Sequence, residues 1–172
     1  MEAARAALRT VDVVPGVLWF ATTSPAYLDK TNATAVHAAL RMPRATPAFD
    51  VIGSVRSAVG ALRAAHAAGS GVAVAVASDV RVGRPGSADE SAGGDAAAAI
   101  IMGEDTHAPV LAEVVGVASL TEEFVDRWRT PGDAGSKLWE ERFGETKYVP
   151  LATEALKLAL AEAGVEAAGV DA

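Results

Sequence analysis

The apolar positions of this chain change period as one reads along it, and the changes mark out its elements. Residues Glu2–Leu8, "EAARAAL", mix charged and apolar positions at helical spacing. They give way to "GVLWFATTS", Gly16–Ser24, an apolar run without alternation that predicts a strand buried on both faces of a parallel sheet. A second helix is expected over about Ala33–Leu40, after the polar "DKTN". Strand "AFDV" follows, then a helix over Val55–Ala68 that ends in Ala-Gly-Ser-Gly, a C-cap signal. The order to this point is α-β-α-β-α.

"GVAVAVASDV" is a buried strand of small β-formers whose polar end, Ser78-Asp79, falls where open α/β sheets keep their ligands. The next stretch, Arg81–Asp95, is dense in Gly, Pro and charge and reads as a long loop covering a site or a partner surface. "AAAAIIMG" and "VLAEVVGVASL" read as two further strands, with "EDTHAP" as a hairpin-like turn between them. "TEEFVDRWR" opens on a partial capping box at Thr121 and predicts a helix. After the loop "TPGDAG", a short aromatic helix is expected around Leu138-Trp139, and "YVPLATEALKLALAEAG" is a strong final helix. The chain starts on a helix and stops after one, so the α/β succession is expected to be completed by another segment or polypeptide.

One junction stands apart. In "FDVIGSVRSAVGAL", Phe49–Leu62, an apolar strand turns through Gly53-Ser54 straight into an amphipathic helix. Such an elbow exposes the first helical residue at the tip of the sheet, where enzymes place nucleophiles. Here that residue is Val55, a branched hydrocarbon that neither attacks a carbonyl nor carries a proton.

Composition narrows the classes. The 172 residues, 51% of them hydrophobic, suit one domain or one half of a larger pseudo-symmetric unit. The absence of cysteine excludes disulfides, thiolate metal sites and thiol catalysis. A net charge of -7 argues against a nucleic-acid surface. No stretch has the apolar length of a signal peptide or membrane span, so a soluble, by default cytoplasmic, chain is expected.

The remaining polar candidates are weighed individually. His37 and His66 sit in predicted helices and His107 in a turn, without the paired spacing of a metal site, so no metal is expected. Asp79, Asp89, Glu90 and Asp95 could act as acids, bases or oxygen ligands, but loop solvation and turn formation explain them at lower cost. Arg56 lies on the first turn of the elbow helix, where a cation opposes the dipole unless an anion compensates. A phosphate, a substrate carboxylate or an ion pair with Asp79 would serve. Thr23 and Ser24, at the end of a buried strand, can bond a ligand or cap the following turn. Trp128, Trp139 and Phe143 read as core or interface anchors, with adenine stacking as the alternative. "GRPGS" lacks the lysine of a phosphate loop and is a turn.

Taken in order, "FATTSPAYLDKTNATAVHAAL", "AFDVIGSVRSAVGALRAA", "VAVASDVRVGRPGSADESAGGDAAAAIIMGED" and "TEEFVDRWR" with "WEERFGETKYVPLATEAL" resemble the first half of the thiolase superfamily. The pattern is most similar to archaeal-type hydroxymethylglutaryl-CoA synthases and more distantly to ketoacyl synthase III. The resemblance implies an α/β fold, a thiolase-like half whose αβα layers belong to a five-layered αβαβα sandwich with a mixed, mainly parallel sheet. Residues 1–172 would form that single half without its opening strand and without the second half. The family's nucleophilic cysteine matches Val55 and its general-base glutamate matches Thr23, so no catalytic residue is carried over. Thr23, Ser24, Val55, Arg56 and Asp79 would instead contact a coenzyme A thioester, as substrate, with no bound cofactor. Implied partners are acyl-CoA, a homodimeric or heterodimeric thiolase-like chain, and an OB-fold or zinc-ribbon protein. Two functions follow: a component of an acyl-CoA carbon–carbon bond forming or cleaving enzyme, or a non-catalytic scaffold subunit.

Overall fold

The computed structural model describes residues 1–69, 71–106, 108–133 and 135–170. The chain divides into two units, Met1–Val110 and Leu111–Ala172.

The first unit is built on a sheet of four strands in the order β2-β1-β3-β4, where β1 is Val17–Thr22, β2 Ala48–Ile52, β3 Ala73–Asp79 and β4 Ala96–Met102. β1 runs parallel to both β2 and β3, and β4 closes the other edge antiparallel to β3. Parallel neighbours require crossovers. Helix α2, Ala33–Ala39, supplies the first and α3, Ser57–His66, the second. Side chains alternate across the sheet. Leu18, Val74 and Val76 point to the face covered by α2 and by α1, Glu2–Leu8, where Ala4, Ala33 and Val36 complete a core. Ala21, Ala73 and Ala75 point the other way and receive Ala61 and Ala65 of α3, so this face is close-packed through methyl groups. The layers are α, β and α, the mixed and mainly parallel sheet that the resemblance implies.

Helix α2 is held from outside itself. Asp50, in the middle of β2, accepts from the Asn32 N–H at 2.7 Å, the Asn32 Nδ2 at 2.9 Å and the Ala33 N–H at 2.6 Å. A carboxylate from the neighbouring strand therefore satisfies the first donors of a seven-residue helix. Asn32 also accepts from the Tyr27 N–H and donates to the Tyr27 carbonyl, both at 3.0 Å, which folds the preceding loop onto the same knot.

The loop Arg81–Asp95 is not irregular throughout: α4, Ala88–Ala92, forms within it. Ser87 accepts from the Glu90 N–H at 3.3 Å while Glu90 takes the Gly86 N–H at 2.6 Å, a variant of the capping box written as "SADE". Asp95 accepts from the Arg81 N–H at 2.8 Å and ties the loop's ends together.

The second unit departs from the sequence expectations in three places. Val110–Leu120 forms no strand. Within this unit its backbone is held instead by the long helix α6, Val149–Ala163: the Val117 N–H donates to Glu162 at 3.0 Å. Gly116 lies so close that a Cβ there would stand 2.6 Å from the Ala159 carbonyl oxygen. "EDTHAP" thus has no second strand to turn into, and its His107 lies outside the described residues. The stretch from Thr121 forms no helix, because Arg127–Trp128 (β5) pairs antiparallel with Lys137–Leu138 (β6). The aromatic helix around Leu138-Trp139 is likewise replaced by β6, and helix begins only with α5, Glu141–Phe143, which runs through a π-helical turn, Gly144–Tyr148, into α6. Thr130 and Asp133 close the turn between β5 and β6 with two bonds, at 3.0 and 2.7 Å, and these hold the Asp133 carboxyl down at about 2. Trp128, Trp139, Phe143 and Phe124 form a chain of ring contacts at 5.6–6.4 Å, in which Trp139 is 59% exposed. Among the described residues no helix is long and apolar enough to cross a membrane.

Candidate functional site

The first crossover runs from β1 through α2, over one face, to β2, and the second returns from β2 through α3, over the other face, past β1 to β3. Their divergence opens a crevice above the carboxyl ends of β1 and β3, the position where open α/β sheets bind ligands. The strand-to-helix elbow stands beside it. A cleft of about 20 Å³ is lined there by Thr22 and Thr23 after β1, Ser54, Val55 and Ser57 of the elbow, and Asp79 at the end of β3. That volume admits about one water-sized molecule.

Asp79 organises the cleft. Its Oδ1 accepts from the Thr23 N–H at 2.7 Å and from the Thr22 and Thr23 hydroxyls, each at 2.9 Å. Burial pushes the Asp79 carboxyl up, but the bonds from Thr23 and Thr22, aided by the charge of Arg81, outweigh it and hold the group below its ordinary 3.8. It is therefore ionised, and through Oδ1 it clamps the end of β1. The Ser24 N–H in turn donates to the Thr22 hydroxyl at 3.1 Å, the capping role, and the Thr23 and Ser24 hydroxyls stand 3.5 Å apart.

The elbow is shaped by Gly53 and two serines. Gly53 has φ +110°, a conformation that L side chains rarely adopt. No atom lies within 4 Å of where its Cβ would stand, so the position requires backbone freedom and not space. Gly53→Ala is expected to cost about 1 kcal/mol in chemical denaturation. An unchanged midpoint would show that the elbow relaxes at no cost.

Helix α3 starts two residues later than the sequence suggests, at Ser57, because the Ser57 hydroxyl accepts from the Ser54 N–H at 3.2 Å and keeps Val55 and Arg56 in a turn. Val55 is consequently not the first helical residue, and its side chain is 66% exposed rather than filling a pocket. Arg56 occupies the N-cap and is exposed, one step outside the first turn where its charge would oppose the dipole most strongly. Of the five residues picked from sequence, Thr23, Val55 and Asp79 line the cleft together, while Ser24 and Arg56 adjoin it. Ser54 and Ser57 were missed; their signal is the Ser-x-x-Ser spacing, which lets the second hydroxyl accept from the first serine's N–H.

Elsewhere the chemistry is sparse. A groove of about 480 Å³ at the opposite end of the sheet, between Val17, Trp19, Ala64 and Val72, carries no titratable or nucleophilic group. His37 bonds the Pro43 carbonyl oxygen at 3.0 Å, and His66 ends α3 in solvent. Among the described residues no cluster of His, Asp and Glu is arranged to hold a metal ion.

Comparison with known proteins gives this geometry its context. A hydroxymethylglutaryl-CoA synthase of Pyrococcus furiosus is 30% identical over 178 residues, taking in 99% of this chain and 51% of that protein. Another, of Picrophilus torridus, is 30% identical over 155 residues, 86% of this chain and 43% of the relative. The chain is similar to hydroxymethylglutaryl-CoA synthases along most of its own length. It spans about half the length of these curated relatives. Among solved structures, MvaS in complex with 3-hydroxy-3-methylglutaryl coenzyme A superposes with a TM-score of 0.72 at 26% identity, over 93% of this chain and 39% of that one. OleA of Xanthomonas campestris, solved with bound lauric acid and lauroyl-CoA, shares the fold with a TM-score of 0.76 at 20% identity, over 99% and 58%. No family model matches the chain.

Proposed function

We propose that the chain is a component of an enzyme that forms or cleaves a carbon–carbon bond on an acyl-CoA thioester, working with a second thiolase-like half or partner chain. The observation that carries this reading is the elbow cleft, set at the strand ends of a chain homologous along 86–99% of its length to hydroxymethylglutaryl-CoA synthases. MvaS and OleA, with the same fold, were solved with acyl-CoA ligands. Val55 stands where the resemblance puts the nucleophile and Thr23 where it puts the base. A hydrocarbon forms no acyl-enzyme, and a hydroxyl already bonded to Asp79 does not deprotonate an acetyl group. The chain therefore contributes walls: Thr23, Ser24, Val55, Arg56 and Asp79 border the thioester or its coenzyme A, and the reacting groups come from the complementing half. A cleft of about 20 Å³ is far below the size of a thioester site, which supports the need for a complement.

Calorimetric titration of acetyl-CoA into the complex purified through this chain tests the reading. Saturable binding by the complex is the expected result; no binding by the complex overturns it.

The exposed Val55 also favours a second reading, a non-catalytic scaffold that dimerises with an active thiolase-like chain or docks an OB-fold or zinc-ribbon partner that binds acyl-CoA. Turnover by the complex separates the two. Thr23→Ala with Arg56→Ala lowers the rate if this chain walls the site and leaves it unchanged if the chain is a scaffold.

A further inference from the structure

Among the lysines and arginines of Met1–Val110 only Arg81 is half-buried, and the others are exposed. Its guanidinium makes no hydrogen bond and no ion pair among the described residues. A cation drawn part-way out of water without an acceptor is unfavourable, and an anion arriving beside it offsets that cost. The backbone beneath is fixed, because the Arg81 N–H donates to Asp95 at 2.8 Å. The loop returns so near that a Cβ at Gly93 would stand 3.6 Å from the Arg81 Cβ. That contact covers the base of the stem and leaves the donors of the head to be met from outside.

The position of Arg81 says where such an anion would sit. Arg81 follows Asp79, a wall of the elbow cleft, by two residues, and its charge reaches that carboxyl. Neither nearby carboxylate neutralises it. Asp79 holds Thr22 and Thr23, and Asp95 is bonded at the Arg81 backbone. Across the cleft stands the start of α3, where Ser57 lines the wall and the helix presents its positive end.

We propose that Arg81 is the anion-binding residue of this site, its guanidinium taking two oxygens of a carboxylate or phosphate carried by the ligand and so selecting for ligands that carry one. The planar fork of arginine matches a pair of oxygens, which a lysine would meet only as a point charge. The proposal rests on the acyl-CoA reading of the cleft and names the group there that discriminates between ligands. The anion has two sources, a carboxylate on the acyl part or a phosphate of coenzyme A.

Two measurements test Arg81 separately from that reading. In the first, the Nε–H signals of the arginines are followed by nuclear magnetic resonance in the full, isotope-labelled chain during titration with inorganic phosphate and with acetate. A saturable shift of the Arg81 signal, identified by its loss in Arg81→Lys, is expected with at least one of the two. No saturable shift, or equal shifts at the exposed arginines, overturns the proposal whatever the complex does. In the second, acetyl-CoA, acetyl-pantetheine and succinyl-pantetheine are titrated calorimetrically into the complex purified through this chain. Arg81→Gln is expected to weaken the ligand bearing the selected anion by about tenfold or more and to leave acetyl-pantetheine, which has none, unchanged. Loss confined to acetyl-CoA identifies a phosphate, and loss confined to succinyl-pantetheine identifies an acyl carboxylate. Arg81→Lys should recover only part of the loss. The circular dichroism melt of Arg81→Gln is expected to stay in place, since the guanidinium makes no bond within the fold. Equal weakening of all three ligands, or none, overturns the proposal. A complex that binds none of the three sinks the acyl-CoA reading instead, and the first measurement then decides for Arg81 alone.

Discussion

Asp50→Ala will lower the unfolding free energy of the chain by about 3 kcal/mol, read as a shifted urea midpoint at unchanged slope. The figure follows from what the carboxylate does. It takes three donors at 2.6–2.9 Å, two of them backbone groups at the start of α2. Asn32, which supplies the third, is only 6% exposed, so water cannot replace the lost acceptor at full strength. A helix of seven residues has little stability of its own and depends on such a cap. Asp50→Asn keeps one acceptor oxygen but turns an amide toward Asn32, and about half the loss is expected. The effect extends beyond α2, since Asn32 also fixes Tyr27 in the loop that leaves the cleft after Ser24. A loss below about 0.5 kcal/mol would mean that water caps α2 as well as Asp50 does.

The first unit was legible because its elements are long and its burial is two-sided. β1 and β3 read as unbroken apolar runs, "VLWFAT" and "AVAVASD", since helices cover both faces of the sheet. The second unit was not. Strands of two residues, Arg127–Trp128 and Lys137–Leu138, are too short to show a period of two, and the aromatic residues that select them do so by packing on one another. Val110–Leu120 has the composition of a strand, yet Gly116 and Val117 lie against α6, a tertiary contact that no local pattern encodes.

The candidate site was half legible for the same reason. Gly53-Ser54 between an apolar strand and an amphipathic helix announced the elbow and put Val55 beside the crevice. The start of α3 was misplaced by two residues because a single bond, Ser54 N–H to Ser57, decides it. The clamp at Asp79 depends on strand register. Only the pairing of Ala21 with Ala77 brings Thr22 and Thr23 level with a residue more than fifty positions later in the chain.

That clamp supplies the second large effect. Asp79→Ala is expected to cost about 2 kcal/mol near neutral pH, less than Asp50→Ala because two of its three donors are hydroxyls, which can turn to other acceptors. The pH dependence distinguishes a clamp from a free acid. The folded pKa lies below the ordinary 3.8, so the stabilisation is fully present above that value and is lost as pH falls through the folded pKa. Asp79→Asn removes this dependence, and its stability profile should converge with that of the parent below pH 3.8. If Asp79 were a general base awaiting a substrate, its pKa would sit toward neutral, and the parent would lose no stability in that acid window. The three donors all meet Oδ1, so that oxygen is committed to holding the end of β1. The hydroxyls of Thr22 and Thr23 are aimed by the same contacts. Their direction, more than the charge of Asp79, is what a ligand entering the cleft would meet, and it is lost in Asp79→Ala.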